Sequence, residues 1–73
     1  IIYPNPTCET LNIKTDYSGL KTIQIFDSRG SLLETINTFQ THYQIDCNNL
    51  SPGLYFININ EKSDTVKFKF IKE

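Results

Sequence analysis

Alanine, methionine and tryptophan are missing from this 73-residue chain, and valine occurs once, at Val66. Alanine and methionine are among the strongest helix formers, so their absence disfavours helices. The apolar residues are mostly isoleucine, phenylalanine, tyrosine and leucine, which suit the half-buried surface of a β-sheet. The composition therefore predicts a small protein built from strands.

Long apolar runs are missing too. The longest is Leu54-Tyr-Phe-Ile57, whereas a helix that spans a membrane needs roughly 18 apolar residues. The first residues contain no basic region followed by an apolar run, so this fragment carries no N-terminal export signal of its own. Because the chain begins at Ile1 rather than at methionine, we expect a piece of a longer precursor.

Cysteine and histidine are scarce, which limits the chemistry. Cys8 and Cys47 lie too far apart for the short-spaced pairs that hold zinc. An even count permits one disulfide between them, and two separate thiols acting as small apolar residues are the other interpretation. His42 is about 16 Å from Cys47 along a strand and on the opposite face, so the two do not form a nucleophile and base. We expect no catalytic residue, metal or cofactor.

Turn-forming residues recur at short intervals, with one predicted turn at Asn37-Thr38, and separate strand-length segments. The predicted strands cover residues 1–3, 9–15, 21–27, 31–36, 41–46, 54–59 and 65–72. About seven short strands in one domain, residues 1–73, indicate an all-β fold: a small antiparallel, immunoglobulin-like β-sandwich. A small barrel is the alternative architecture.

Apolar residues alternate with polar ones along most of these strands, which assigns an inward face to each. The predicted inward residues are Leu11, Ile13, Ile23, Ile25, Tyr43, Ile45, Tyr55, Ile57, Ile59, Val66, Phe68 and Phe70. Residues 31–36 do not alternate cleanly, so we expect a bulge there or a position at a sheet edge. Tyr43 and Tyr55 then face the core, which argues against a sugar-stacking platform of tyrosines.

The last strand carries most of the positive charge. Residues 62–73 hold four lysines against two acidic residues, a net charge of +2, whereas residues 1–61 hold three basic and six acidic residues, a net charge of −3. Lys67 and Lys69 alternate with Val66, Phe68 and Phe70, so the core fixes the strand while its lysines face water. Four lysines on a net acidic domain are too few to indicate nucleic-acid binding.

Four segments, taken in order, resemble a known family. They are Tyr3-Pro4-Asn5-Pro6, then Ile25-Phe26-Asp27 with Gly30, then Asp46 followed by Leu50-Ser51-Pro52-Gly53-Leu54-Tyr55, and finally Lys69-Phe70-Ile71-Lys72. This order and spacing, over nearly the whole chain, is similar to the C-terminal sorting domain of the type IX (Por) secretion system of Bacteroidetes.

The resemblance implies a non-catalytic address tag at the end of a larger cargo protein. In such a family the outer-membrane translocon recognises the folded domain in the periplasm. A sortase-like cysteine protease then usually removes it, and the cargo is left on the cell surface or released. The residues expected to contact the translocon are Lys69, Phe70, Ile71 and Lys72. A disulfide between Cys8 and Cys47 would suit this oxidising route, although the family does not require one.

The other motif residues are expected to maintain the fold. They are Tyr3, Pro4, Asn5, Pro6, Asp27, Gly30, Leu50, Gly53 and Tyr55. Prolines hold the first segment extended, and glycines permit the turns. Two other functions remain open at this point: a β-sandwich that binds a carbohydrate or another ligand or acts as an adhesin, and a passive spacer domain.

Overall fold

A computed structural model describes residues 2–3 and 9–73 of the chain. These residues form seven β-strands and no helix, which confirms the all-β prediction. The strands are β1 (Ile2–Tyr3), β2 (Thr10–Lys14), β3 (Lys21–Asp27), β4 (Leu32–Thr38), β5 (His42–Asp46), β6 (Gly53–Glu61) and β7 (Asp64–Lys72). Over the same residues, no helix is long and apolar enough to cross a membrane.

The strands form two antiparallel sheets, as expected for a sandwich. One sheet has the order β1-β2-β5 and the other has the order β4-β3-β6-β7. The longest pairing joins β6 and β7, from Gly53 opposite Lys72 to Glu61 opposite Asp64. Strand β7 is therefore held along its whole length by a hairpin neighbour and lies last in the order of its sheet.

The core lies between the sheets and consists of predicted inward residues together with Cys47, which was not predicted to point inward. Its buried apolar members are Leu11, Ile13, Ile23, Ile25, Ile45, Cys47, Tyr55, Ile57, Ile59 and Phe70. Tyr43 and Phe68 pack against this core and are partly buried. Val66 is the exception, since it remains 41% exposed although it pairs with buried Ile59. The facing sheet has only three strands, one of them two residues long, which is too narrow to cover all of the four-stranded sheet.

The irregular segment at residues 31–36 behaves as predicted, with one correction. The register between β3 and β4 shifts between Ile25 and Phe26, and β4 is the first strand of its sheet. The bulge and the edge position are therefore both present. However, the predicted turn at Asn37 and Thr38 is wrong, because β4 continues to Thr38 and these residues pair with Thr22 and Lys21. Ladder hydrogen bonds outweigh the turn preference of asparagine here.

One buried charge was not predicted. Lys21 is 1% exposed, and its Nζ donates hydrogen bonds to the carbonyl oxygens of Gln40 at 2.7 Å and Gly19 at 3.3 Å. The ring of Tyr17 lies 5.9 Å from the same nitrogen. Lysine is almost never fully buried unless its charge has partners, and here two carbonyls and an aromatic face supply them. The ammonium group thus ties the β2–β3 connection to the end of β4.

Candidate recognition surface

The last strand presents two different faces, as its alternating sequence predicts. Phe68 and Phe70 point towards the core, while Lys67 and Lys69 are exposed on the outer face of the four-stranded sheet. Ile71 follows Lys69 on this outer face and is 50% exposed. Because β6 holds β7 through residue 72, these outward side chains have a fixed spacing along a rigid strand.

Phe70, which the sequence placed among the recognition residues, lies in the core. It is completely buried, and its ring stacks on that of Tyr55 with centroids 5.4 Å apart. The hydroxyl of Tyr55 in turn donates a 2.6 Å hydrogen bond to the carbonyl oxygen of Ser51. In the folded domain Phe70 therefore supports the strand from below and offers no surface to a partner.

The remaining terminal residues lie beside β6. Lys69 is opposite Phe56, Ile71 is opposite Leu54, and Lys72 is opposite Gly53. The Nζ of Lys72 donates a 2.9 Å hydrogen bond to the backbone carbonyl of Glu73. The structure thus brings Lys69 and Ile71 together with two apolar side chains of β6.

Leu54 and Phe56 also belong to this surface, which was not predicted from the sequence. Both are more than a third exposed, and both lie on the face opposite Tyr55 and Ile57. The signal was present in the run Leu54-Tyr-Phe-Ile57. In a strand, four consecutive apolar residues must place two of them on each face, so two of them point away from the core.

The turn motif at the end of β3 is held by hydrogen bonds to Asp27. The Asp27 carboxylate oxygen accepts hydrogen bonds from the backbone N–H groups of Arg29 at 2.9 Å and Ser31 at 3.0 Å. The hydrogen bond from Ser31 is the largest cause that holds the pKa of Asp27 below its usual value. Gly30 has φ of 88°, a left-handed conformation that glycine adopts without strain. Together they close the β3–β4 hairpin.

The structure also describes Gly53, Leu50 and Tyr3 of the motif. Gly53 has φ of 152° where β6 begins, and Leu50 packs against the core. Tyr3 lies on the outer side of the three-stranded sheet, with its hydroxyl 3.5 Å from Nε2 of His42. Pro4, Asn5 and Pro6 fall outside the described residues.

Cys47 forms part of no reactive site among the described residues. Its side chain is buried, and burial raises the pKa of its thiol, which disfavours the reactive thiolate. Its backbone N–H donates a 2.7 Å hydrogen bond to the carbonyl of Glu9, the residue next to Cys8 in the chain. Cys8 lies outside the described residues, so the disulfide stays a prediction.

Several polar side chains outside this surface form hydrogen bonds with one another or with the nearby backbone. Nε2 of exposed His42 lies 3.2 Å from Oδ1 of Asn12, on the face away from buried Cys47. Oδ1 of Asp46 accepts hydrogen bonds from the backbone and side-chain nitrogens of Asn48 at 2.9 and 2.8 Å, which is an Asx turn. Across residues 2–3 and 9–73, no three acidic, histidine or cysteine side chains lie together as a metal site.

Comparison with known proteins adds one finding. The model of a protein family described as "Secretion system C-terminal sorting domain" matches residues 1–73, the full length of the chain. A search of curated proteins returned no match.

Proposed function

This chain belongs to the family of type IX secretion system C-terminal sorting domains, and from that premise we propose that it is a non-catalytic signal that directs a cargo protein across the outer membrane. In this proposal the folded domain is recognised in the periplasm by the outer-membrane translocon. A sortase-like cysteine protease then removes it, and the cargo stays on the cell surface or is released.

The observation that supports this proposal is the construction of the terminal strand. A buried phenylalanine at position 70 locks β7 in place, while Lys69 and Ile71, on either side of it, point outward and are exposed. A strand that only completed the core would have no need for this combination of charge and apolar surface on its outer face. Fixed, exposed side chains at a regular spacing are what a protein partner can bind with little loss of entropy.

The recognition residues in this proposal are Lys69, Ile71 and Lys72, and Phe70 has the supporting role. A rigid domain with lysines on one strand suits a receptor with acidic side chains, since charge complementarity steers encounter and sets register. The tyrosines give no support to the alternative of sugar binding, because Tyr55 is buried and Tyr43 packs against the core.

The test must separate recognition from folding. Deleting residues 69–73 would remove Phe70 from the core, so loss of export would not identify a contact residue. We would instead fuse residues 1–73 behind a fluorescent protein directed to the periplasm of a bacterium with a type IX system. The variant is Lys69→Ala with Lys72→Ala, and the matched control removes two other lysines, Lys14→Ala with Lys62→Ala.

We expect the parent and the control to appear on the cell surface and in the medium. Export of the Lys69→Ala, Lys72→Ala variant should fall about tenfold, which corresponds to about 1.4 kcal/mol of lost binding. A thermal melt of each purified chain checks that the sandwich stays folded. If the parent remains in the periplasm the proposal fails, and equal export of both variants would show that these lysines are not the contacts.

A further inference from the structure

The outer face of the four-stranded sheet is divided into a polar half and an apolar half. In the polar half, the hydroxyl of Thr22 donates to Oδ1 of Asn37 at 2.8 Å, and the hydroxyl of Thr65 donates to Oδ1 of Asn60 at 2.6 Å. These side chains satisfy one another across neighbouring strands. Such a surface is stable in water and needs no partner.

The apolar half occupies the other end of the same face and crosses all four strands. Register places Leu32, Phe26, Phe56 and Lys69 in one row, and Leu54 and Ile71 in the next. We call this the apolar patch and define it by five residues: Phe26, Leu32, Leu54, Phe56 and Ile71. Four of its members are exposed, and Phe26 between them is partly buried.

This arrangement is unusual for the outer face of a sandwich. Antiparallel sheets usually alternate apolar residues towards the core with polar residues towards water. The other sheet follows that rule, since its outer face carries a hydrogen-bonded polar cluster that includes Asn12, His42 and Gln44. Contiguous apolar side chains that face water commonly mark an interaction site.

Charge on this face has one sign. Lys67 and Lys69 are the charged residues that β3, β4, β6 and β7 place on it, and no acidic side chain shares the face. Lys67 lines a groove of about 290 Å³ together with Phe26 and Phe56. Two copies of this chain would bring like charges together on stacking these faces, which opposes self-association.

We propose that the apolar patch is the docking site for a protein partner that presents aliphatic or aromatic side chains flanked by carboxylates. The inference rests on the proposed function: the partner belongs to the secretion machinery, and the patch extends its contact from β7 to β6 and β3. In this complex Phe56 and Leu54 supply the apolar centre. Lys67 and Lys69 form a charged rim that selects an acidic partner.

The experiment uses the same fluorescent cargo fusion and two kinds of variant. Leu54→Thr with Phe56→Thr removes the centre of the patch but keeps residues that favour strands. Lys67→Glu reverses the rim charge at an exposed position. The matched control, Leu20→Thr with Phe39→Thr, removes two exposed apolar side chains elsewhere. Thermal melts confirm folding, and if the double variant does not fold, Lys67→Glu alone decides the question.

We expect the control to be exported like the parent. Export of both patch variants should fall at least about tenfold. Export of the folded patch variants at the parental level overturns this inference but leaves the proposed function intact. If the parent is not exported, both fail together. Co-sedimentation of the purified parent with phosphatidylglycerol vesicles, abolished by Leu54→Thr with Phe56→Thr, would identify a membrane as the occupant and overturn the protein partner.

Discussion

At the scale of the single residue, Lys21 is the buried charge on which the β2–β3 connection depends. Gly19 leaves room for the ring of Tyr17, because a Cβ at residue 19 would collide with that ring. The same ring lies over the ammonium group of Lys21, and the carbonyls of Gly19 and Gln40 accept its hydrogen bonds. These contacts replace the water that the charge loses on burial.

Replacing this lysine should be costly. Lys21→Met keeps the unbranched stem of the side chain but leaves two carbonyl oxygens without their donor, so we expect the free energy of unfolding to fall by about 1.5–3 kcal/mol. In a domain of this size, each kcal/mol of lost stability lowers Tm by roughly 4–8 °C. Lys67→Met, at an exposed position on β7, should change Tm far less. Equal melting of the two variants would show that the buried hydrogen bonds contribute nothing.

A second prediction at this scale concerns pH. The backbone N–H of Ser31, followed by that of Arg29, holds the pKa of Asp27 below its usual value of 3.8. Because the folded-state pKa is the lower one, ionised Asp27 stabilises the fold above pH 3.8, and this contribution is lost as the pH falls through the folded-state pKa. Asp27→Asn should therefore lower Tm near neutral pH, and the difference from the parent should narrow in acid. A difference in Tm between variant and parent that is the same at neutral and acid pH would show that ionisation of Asp27 does not stabilise the fold.

At the scale of the element, the loop of the β6–β7 hairpin contains a residue in an unfavourable backbone conformation. Glu61 pairs with Asp64, so two residues form the loop, and the first of them, Lys62, has φ of 55°. A residue with a Cβ pays about 1–2 kcal/mol for this left-handed conformation, whereas glycine adopts it freely. The hairpin that carries β7 therefore contains a strained backbone conformation at Lys62.

Lys62→Gly should stabilise the domain. We expect a gain of about 0.5–1 kcal/mol, since relief of the strain exceeds the added freedom of the unfolded chain. The matched control is Ser63→Gly, at the neighbouring position, where the structure has no positive φ and where glycine should be neutral or destabilising. The measurement is the urea midpoint of both variants. A lower midpoint for Lys62→Gly would contradict this explanation.

The strands themselves were predictable because period-two alternation is a local signal. All seven predicted strands are present, and their ends differ by at most two residues. The wrong turn at Asn37 shows where a local signal fails. Its preference for turns is weaker than its pairing with Thr22, and this pairing depends on a strand distant in sequence.

At the scale of the whole molecule, the sequence predicted the sandwich and the inward face but not where that face is covered. Val66 has the parity of a core residue, and it is exposed because the facing sheet is too narrow. Lys21 has the parity of its buried neighbours, yet its partners come from two connections that no periodicity predicts. The sequence pattern places Phe70 both among the expected contact residues and in the core. Only its packing on Tyr55 shows that the side chain is buried.

The apolar patch is a second feature that local sequence patterns do not reveal. Register brings Phe26, Leu32 and Phe56 into one row, although Phe56 is far from the other two in the chain. Each of these residues alone is an ordinary exposed or half-exposed apolar side chain, and only their contiguity on one face indicates a site. Whether these side chains are contiguous depends on the order of the strands in the sheet, and the sequence does not predict that order.

The burial of Phe70 also sets a condition on timing. The core is incomplete until residue 70 has been synthesised, because the ring of Phe70 is one of its buried members. We therefore expect a chain truncated before residue 70 to be less stable than residues 1–73. A premature stop that removes Phe70 would thus weaken the folding of a domain that the family description places at the C-terminal end.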